Sequence, residues 1–361
     1  MSKLPNKIFG GQQVQALGLA LEQLPGVELS RIESSRQKKL ALGADAVFEI
    51  RVQGRRIYVL VQAKQSAFPR DIRSHLHQLN KIVGKRGSEE TIRLIVAPSI
   101  SPGSRDLLRE SKIGYYDAGG SLYLPLSNGI YFIDRPAPSG GDRRLRNIYK
   151  GRTAQVLHVL LAKAHQKWHV NQLAEEANVS PFTVHQVFTS LEKELWIEKQ
   201  GKGPESVRIL REPGALLDAW AENYNFEQYE FRNYHRWTQT FESLRQIVVG
   251  AFEKHKTEYA LTLGSGAHLV APFATGIDRL HLIVPATTKM DVVAKNAELR
   301  PSDDGANVTL MITREHTPLL LRQRHQGIWV ASDVQLYLDL WNWPARGKEQ
   351  AEHLRKERLR F

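Results

Sequence analysis

The pattern of hydrophobic and polar positions divides the first third of the chain into alternating helices and strands. Apolar residues recur at helical spacing in three segments, at 12–24, 71–83 and 101–111. Short runs rich in β-branched and aromatic residues predict five strands, at 44–52, 55–63, 91–98, 113–117 and 121–126. Gln53-Gly54, between the first two strands, is typical of a β-hairpin turn. This alternation predicts an α/β domain over residues 1–134.

Residues 148–211 show a different pattern, which predicts three helices followed by a β-hairpin. The helices are predicted at 153–164, 169–177 and 181–195. Ser180 is placed to cap the third helix, and Pro181 occupies its first position, where a missing N–H costs nothing. This order of elements is that of a winged helix-turn-helix.

The rest of the chain predicts two connecting segments and another α/β domain. The stretch 135–147 is rich in Pro, Gly and Arg and has few residues to bury, so we expect a linker. Residues 212–234 contain Pro213-Gly214 near their start, and their pattern predicts a helical connector. Strand-like segments and a helical C-terminal region predict a third, separate domain over residues 235–361.

A winged helix-turn-helix places the exposed face of its third helix in the major groove of double-stranded DNA. Because Val184, Val187 and Leu191 are expected to face inward, the exposed face should present Phe182, Thr183, His185, Gln186 and Thr189. The wing should bring Lys199, Lys202 and Arg208 to phosphates. The alternative is a winged helix that makes only protein contacts.

Charge and composition narrow the classes of function. The net charge of +12, with a sequence pI near 9.7, favours a polyanionic partner such as nucleic acid. The absence of cysteine excludes disulfides and cysteine-based zinc sites. Since the chain has neither an apolar signal segment nor a long apolar run, we expect a cytoplasmic protein without a membrane span.

The predicted strand that ends in Gln62-Ala63-Lys64, together with Asp45 on the preceding strand, resembles the PD-(D/E)xK nuclease superfamily. The resemblance implies a restriction-endonuclease-like fold in which Asp45 and Gln62 hold Mg²⁺ while Lys64 assists the attacking water. Gln62 stands where the family usually has glutamate, and its neutral oxygen binds a hard cation more weakly. We therefore expect no cleavage and no cofactor, and a fold kept for DNA contact or dimerisation; the alternative is a Mg²⁺-dependent endonuclease directed by the winged helix.

The sequence offers two further candidates for a metal site. A helical glutamate common in the nuclease superfamily would be supplied by Glu22, the nearest candidate. His75, His77 and His281 lack cysteine partners and HExxH spacing, so we expect isolated surface or structural histidines in place of a metal site.

Gly264-Ser265 followed by Asp278 resembles the glycine-serine and acidic motif of nucleotidyltransferases. Two-metal chemistry in that family needs a second carboxylate, and Leu280 occupies its position. The third domain is therefore expected to resemble a degenerate nucleotidyltransferase, with residues 263–268 forming a tight turn.

The order of a basic winged helix, the segment 260–273 and the closing segment 330–355 resembles the AbiEi-family antitoxins of type IV toxin–antitoxin systems. The resemblance implies a bacterial transcriptional regulator whose partners are operator DNA and a cognate toxin. We therefore expect a sequence-specific, antitoxin-like DNA-binding regulator that could form a homodimer. A second alternative is an antitoxin that acts mainly through protein contacts.

Overall fold

The structure is a computed structural model, and it describes residues 4–31, 44–79, 90–135, 147–273, 276–302, 304–344 and 346–361. The chain divides into two compact units. The first comprises Met1–Arg143 with Lys193–Leu195, and the second comprises Arg144–Glu192 with Trp196–Phe361. The main break falls in the predicted linker, of which residues 136–146 lie outside the described residues.

The first unit is an α/β structure built on one seven-stranded sheet, as the alternating pattern predicts. Its helices are α1 (Leu4–Glu22), α2 (Pro69–Leu79) and α3 (Pro102–Glu110). Its strands, in the order in which they pair, are β1 (Val27–Arg31), β2 (Ala46–Val52), β3 (Arg55–Ala63), β4 (Glu90–Ala97), β5 (Gly114–Asp117), β6 (Leu122–Leu126) and β7 (Gly129–Ile133). The sequence pattern does not predict the two edge strands, β1 and β7. Strands β3, β4 and β5 run parallel because α2 and α3 connect them, and the other pairs are antiparallel.

The predicted hairpin joins β2 to β3 through a two-residue turn. Val52 pairs with Arg55, and the intervening Gln53 and Gly54 have φ of 52° and 77°. Two successive residues with positive φ form the turn whose twist matches that of the flanking strands. The turn fixes the register of β3, and with it the face on which each later side chain lies.

The sheet of the first unit is covered on both faces. Leu17 and Leu21 of α1 pack on one face with Val59 and Val61 of β3. Residues of α2 and α3 pack on the other face around Ile95. Because side chains alternate along a strand, Gln62 and Lys64 lie on the face opposite to Val61, beside α2.

The second unit begins with three helices and a three-stranded antiparallel sheet. The helices are α4 (Gly151–Ala162), α5 (Val170–Glu176) and α6 (Pro181–Lys193). The strands β8 (Lys167–Trp168), β9 (Ile197–Gln200) and β10 (Val207–Leu210) pair in the order β8-β10-β9. The predicted start of the third helix is confirmed, since the Thr183 N–H donates to Ser180 Oγ over 3.3 Å.

The remainder of the second unit forms a mixed seven-stranded sheet with helices around it. The helices are α7 (Pro213–Asn223), α8 (Phe241–Lys254), α9 (Leu263–Val270), α10 (Met290–Asn296), α11 (Asp333–Trp341) and α12 (Gly347–Leu354). The strands are β11 (Tyr229–His235), β12 (Ala260–Leu261), β13 (Leu280–Pro285), β14 (Arg300–Pro301), β15 (Val308–Thr313), β16 (Gln323–His325) and β17 (Ile328–Val330), paired as β14-β11-β15-β13-β12-β17-β16. The predicted helical connector contains α7 and a short 3₁₀ helix at Phe226–Gln228, and its last residues belong to β11.

One hydrophobic core runs through the whole second unit. Leu157 of α4 and Val187 of α6 belong to the same buried cluster as Leu282 of β13 and Leu336 of α11. Residues 148–211 and 235–361, which the sequence presents as two domains, therefore share their interior. In the described part of the chain, no helix has the length and apolar character needed to cross a membrane.

Candidate functional site

The end of β3 brings the three nuclease-like residues together. Asp45 directly precedes β2, and its N–H donates to Val61 O over 2.8 Å. Its carboxylate accepts the N–H of Ala63 at 2.8 Å. Because Ala46 pairs with Val61, Asp45 lies beside Gln62 and on the same face of the sheet. The predicted grouping of Asp45, Gln62 and Lys64 is therefore present in the fold.

A fourth residue, His75 of α2, joins this cluster. Its Nε2 is hydrogen bonded to Gln62 Oε1, and its Nδ1 lies 3.3 Å from Lys64 Nζ. A carbonyl oxygen can only accept, so Nε2 carries the proton and Nδ1 accepts from the Lys64 ammonium. His75 therefore has structural contacts within the protein, since its imidazole connects the two polar side chains at the end of β3.

The electrostatics of the cluster follow from partial burial. Burial lowers the pKa of Lys64, although the nearby Asp45 carboxylate opposes this shift. Burial, followed by the charge of Lys64, lowers the pKa of His75, so its imidazole is neutral at pH 7. The cluster thus has one ammonium and one carboxylate, with a neutral ring between Lys64 and Gln62.

This donor set fits Mg²⁺ poorly. Mg²⁺ takes six oxygen ligands in near-octahedral geometry and is usually held by carboxylates. Within the described residues Asp45 supplies the one carboxylate of the cluster, while Gln62 Oε1 already accepts a hydrogen bond from His75. Among the described residues, no group of three or more His, Cys, Asp or Glu could hold a metal ion. The cluster is better suited to hydrogen bonding than to metal-assisted hydrolysis.

Glu22 cannot complete the cluster, so the role considered for it is wrong. It ends α1, five residues before the first residue of β1, and Val27 of β1 pairs with Val52 at the hairpin end of the sheet. The cluster lies at the other end of β3, about 27 Å away for a nine-residue strand.

In the second unit, α6 has one buried and one exposed side. Val184, Val187, Phe188 and Leu191 are buried in the core. On the other side Phe182 is 70% exposed, and three polar residues, His185, Gln186 and Thr189, are also exposed. Lys199 and Lys202 are exposed on and beside β9, as predicted. Residues 181–191 include no acidic side chain, so nothing on this stretch of α6 repels an anion.

Thr183 does not belong to the exposed face, and its predicted position there is wrong. Its side chain is only 9% exposed, and its hydroxyl lies 3.0 Å from Ser180 Oγ. Thr183 is the third residue of the first turn, where an N-cap serine bonds back to the helix. The hydroxyl is therefore engaged in capping α6.

The sequence also predicts the wrong environment for Arg208, which is only 8% exposed. Its Nε donates to Glu192 Oε1 over 3.2 Å, and its Nη1 donates to Ser206 Oγ over 2.8 Å. The guanidinium lies 5.2 Å from the centre of the Phe188 ring. Arg208 is on β10, the central strand of its sheet, and its side chain reaches α6. The predicted phosphate contact from an exposed wing position is wrong.

In the second unit, the glycine-serine segment makes hydrogen bonds that stabilise the fold. Residues 263–270 form α9, so the expected tight turn is wrong. Ser265 is buried, and its Oγ donates to Thr262 O over 2.9 Å and accepts the His281 N–H at 3.0 Å. Asp278 is exposed, and Leu280 lies in β13.

Burial lowers the pKa of His281 to about 4, which keeps the imidazole neutral. The His77 side chain lies outside the described residues.

Comparison of the chain with protein-family models, with curated proteins and with solved structures finds no match to any of them. The family resemblances drawn from the sequence therefore stay predictions.

Proposed function

We propose that this protein is a sequence-specific regulator of transcription that binds double-stranded DNA, with residues 148–211 acting as a winged helix-turn-helix. The exposed side of α6 carries the proposal. It presents Phe182, His185, Gln186 and Thr189 on a helix whose other side is held rigidly in the core. A rigid helix with an exposed polar face is what the major groove accommodates.

Each exposed group has a chemical role in this proposal. The amide of Gln186 can pair with both edge atoms of an adenine, and Thr189 can contact a base edge or a thymine methyl. Phe182 supplies apolar contact. Lys199 and Lys202, beside the helix in the β9–β10 hairpin, meet phosphates and release counterions. The net charge of +12 supports a polyanionic partner.

The first unit has a supporting role in the proposal. Across its described residues, the order of helix, three strands, helix and strand supports the restriction-endonuclease-like assignment. Its polar cluster fits Mg²⁺ poorly, so we assign it to DNA contact or dimerisation and not to cleavage. The antitoxin-like role, with a toxin partner, rests on the sequence resemblance alone.

A binding titration tests the proposal. The duplex upstream of the protein's own gene and a scrambled duplex of the same composition are titrated at several salt concentrations. The native duplex should bind more tightly, and Gln186→Ala should reduce this preference by about 1–3 kcal/mol. Lys202→Ala should weaken both complexes alike and reduce the salt slope by about one unit.

Two exposed residues of α8 provide matched controls. Gln246→Ala and Lys254→Ala remove the same side-chain types away from α6 and should leave binding unchanged. Equal affinity for both duplexes, or unchanged binding in Gln186→Ala and Lys202→Ala, would contradict sequence-specific recognition by α6.

A further inference from the structure

The sheet of the first unit has an edge strand, β7, with exposed apolar side chains. β7 pairs with β6 on one side and, within the described residues, with no strand on the other. Ile130 is 63% exposed, Phe132 49% and Ile133 36%. An edge strand with unpaired backbone groups and apolar side chains is a template for the addition of another strand.

The opposite edge of the same sheet is protected against such pairing. β1 carries the exposed Glu28 and follows Pro25 closely, and charged residues and prolines at an edge oppose the addition of a strand. The sequence of residues 127–133 contains neither a charged residue nor a proline. β7 therefore lacks both kinds of residue that block edge pairing.

The hairpin with β6 determines which backbone groups of β7 point outward. Leu126 pairs with Gly129 across a two-residue turn, so these two residues exchange hydrogen bonds. Because the pattern alternates along an antiparallel pair, Tyr131 and Ile133 also bond to β6. The N–H and C=O groups of Ile130 and Phe132 therefore face the open edge.

We propose that β7 pairs antiparallel with β7 of a second copy of this chain, around a two-fold axis at Tyr131. In this register Ile130 of each copy lies opposite Phe132 of the other, and each such pair exchanges both N–H···O bonds. Gly129 of each copy lies opposite Ile133 of the other. A centre at residue 130 or 132 would instead place a residue outside the strand opposite an apolar one.

The side chains fit the same register. Phe132 is held in place by Tyr123, whose ring centre lies 6.4 Å away, and by the Arg109 guanidinium, which lies 5.5 Å from the ring centre. Pairs of aromatic and β-branched residues across two strands stabilise a sheet. On the other face, a Cβ added at Gly129 would meet no described atom within 4 Å, which leaves room for Ile133 of the second copy.

The distribution of charge favours a second copy as the partner. Each chain carries a net charge of +12, so most surfaces of two identical chains repel each other. Residues 127–133 are uncharged, and Asp134, which is paired with Arg105, lies opposite the neutral Asn128 of the second copy. No like charges therefore face each other across the two-fold axis, and the strand is complementary to itself, as an interface between identical subunits requires.

A dimer of this kind has a consequence for DNA recognition. It contains two copies of α6, and two-fold symmetric dimers of helix-turn-helix proteins bind two inverted half-sites. We therefore expect the DNA site to be an inverted repeat. This consequence rests on the proposed function, whereas the pairing of β7 does not.

The first experiment measures self-association of the full chain without DNA, by sedimentation velocity at about 1–100 µM. The parent should pass from monomer to dimer within this range, because a five-residue edge buries less surface than a standard interface. Ile130→Lys should weaken the dimer at least tenfold, whereas Leu19→Lys, at a 57% exposed position of α1, should leave it unchanged. Because Ile130 is largely exposed, Ile130→Lys is expected to fold, and circular dichroism checks this.

Single cysteines test the register, since the chain has none of its own. Opposite residues of a hydrogen-bonded pair have Cα atoms about 5.5 Å apart, which a disulfide can bridge. A mixture of Ile130→Cys and Phe132→Cys chains, incubated with oxidised glutathione, should therefore form a disulfide-linked dimer. Ile130→Cys alone should form much less, because the two copies of this residue lie diagonally, about 7–8 Å apart.

Three results would overturn the proposal. They are a parent that stays monomeric, an Ile130→Lys variant that dimerises like the parent, and an Ile130→Cys chain that links to Phe132→Cys no better than to itself. A monomeric parent would assign the open edge to an extended segment of another protein.

A DNA titration separates this proposal from the regulator proposal. A dimer that binds no DNA would leave the pairing of β7 intact and would remove the regulator proposal. A chain that binds its duplex as a monomer, with the same affinity in Ile130→Lys, would remove the pairing and leave the regulator proposal intact.

Discussion

Lys64 donates a hydrogen bond to His75 across 3.3 Å, and the same imidazole donates to Gln62. One chain of hydrogen bonds therefore links the lysine ammonium, the histidine ring and the glutamine oxygen. In a metal-dependent nuclease the same glutamine oxygen and lysine would face the cation and the attacking water. Here each has a protein partner instead.

We expect His75 to titrate below the usual histidine range. Its pKa is lowered first by burial and then by the charge of Lys64. Lys64→Met keeps the apolar bulk and removes the charge, so the pKa of His75 should rise in this variant but remain below that of an unfolded chain, about 6.5. The measurement is an NMR titration of the imidazole. An unchanged pKa in Lys64→Met would show that the two side chains do not interact.

The sign of the associated stability effect follows from linkage. The unfolded chain binds a proton at His75 more readily than the folded chain, so the free energy of unfolding falls as pH drops below about 6.5. His75→Gln removes the titrating group. The difference in stability between parent and variant should therefore decrease on acidification, as measured by urea denaturation at several pH values.

We expect no cleavage of duplex, nicked or branched DNA beyond background with Mg²⁺ or Mn²⁺. The reason is that, in the part of the chain that the structure describes, the cluster has Asp45 as its single carboxylate and an amide oxygen that is already hydrogen bonded. The parent and Lys64→Ala are incubated side by side with labelled substrates, since a contaminating nuclease would act equally in both. Cleavage by the parent that disappears in Lys64→Ala would establish the endonuclease alternative.

Arg208→Ala should lower the free energy of unfolding, whereas the sequence predicts that this residue contacts DNA phosphates. Its guanidinium is buried against Glu192, Ser206 and Phe188, and removal leaves Glu192 without its partner. Loss of one member of a buried ion pair costs about 3–5 kcal/mol, and the partial exposure of Glu192 places the expected loss near 3 kcal/mol.

The exposed Lys199 is the matched control for Arg208. Lys199→Ala should change the free energy of unfolding by no more than about 0.5 kcal/mol. Urea denaturation followed by tryptophan fluorescence measures both variants. Parent-like stability in Arg208→Ala would contradict the buried ion pair, and the phosphate contact first expected for this residue would then regain support.

Asp339 should make stability depend on pH between about 4 and 6. Burial raises its pKa to about 6, despite hydrogen bonds from Thr262, Tyr224 and Gln335. The folded chain therefore holds this proton more strongly than the unfolded chain, and stability falls as pH rises through this window. The slope is about 1.4 kcal/mol per pH unit at most.

Asp339→Asn isolates this effect. Burial lowers the pKa of His158 and of His281 to about 4, so both histidines titrate in the same window with the opposite sign. They are common to parent and variant and cancel in the difference. The stability of the parent relative to Asp339→Asn should fall between pH 4 and pH 6, measured by urea denaturation. A constant difference would show that the carboxyl is ionised throughout.

The sequence predicts the polar end of β3 because that part depends on strand alternation. Gln62 and Lys64 are two residues apart, and the hairpin turn sets Asp45 beside them. His75 could not be assigned in this way. It reaches the cluster only because α2 crosses back over the sheet, and its position on that helix depends on packing around Ile72. A histidine on the inner side of the helix that follows the strand is the signal that could have suggested it.

Prediction of the exposed face of α6 has the same limit: periodicity shows which side chains face outward, but not which polar groups bond within the protein. Helical periodicity separates Val184 and Val187 from His185 and Gln186, and this separation is confirmed. Periodicity alone does not reveal that the Thr183 hydroxyl bonds back to Ser180. It also does not reveal that the Arg208 side chain, on a central strand, turns towards Glu192. Both errors concern polar groups that are satisfied within the protein.

The core shared by α4, α6 and the C-terminal sheet restricts how this chain can evolve by recombination. A winged helix with its own interior can be moved between proteins as an independent cassette. Here a break after Leu210 would expose apolar side chains such as Leu157 and Leu282 on both fragments. Residues 147–361 therefore form the smallest portion that we expect to fold cooperatively, and the segment proposed to bind DNA must be inherited together with the sheet that supports it.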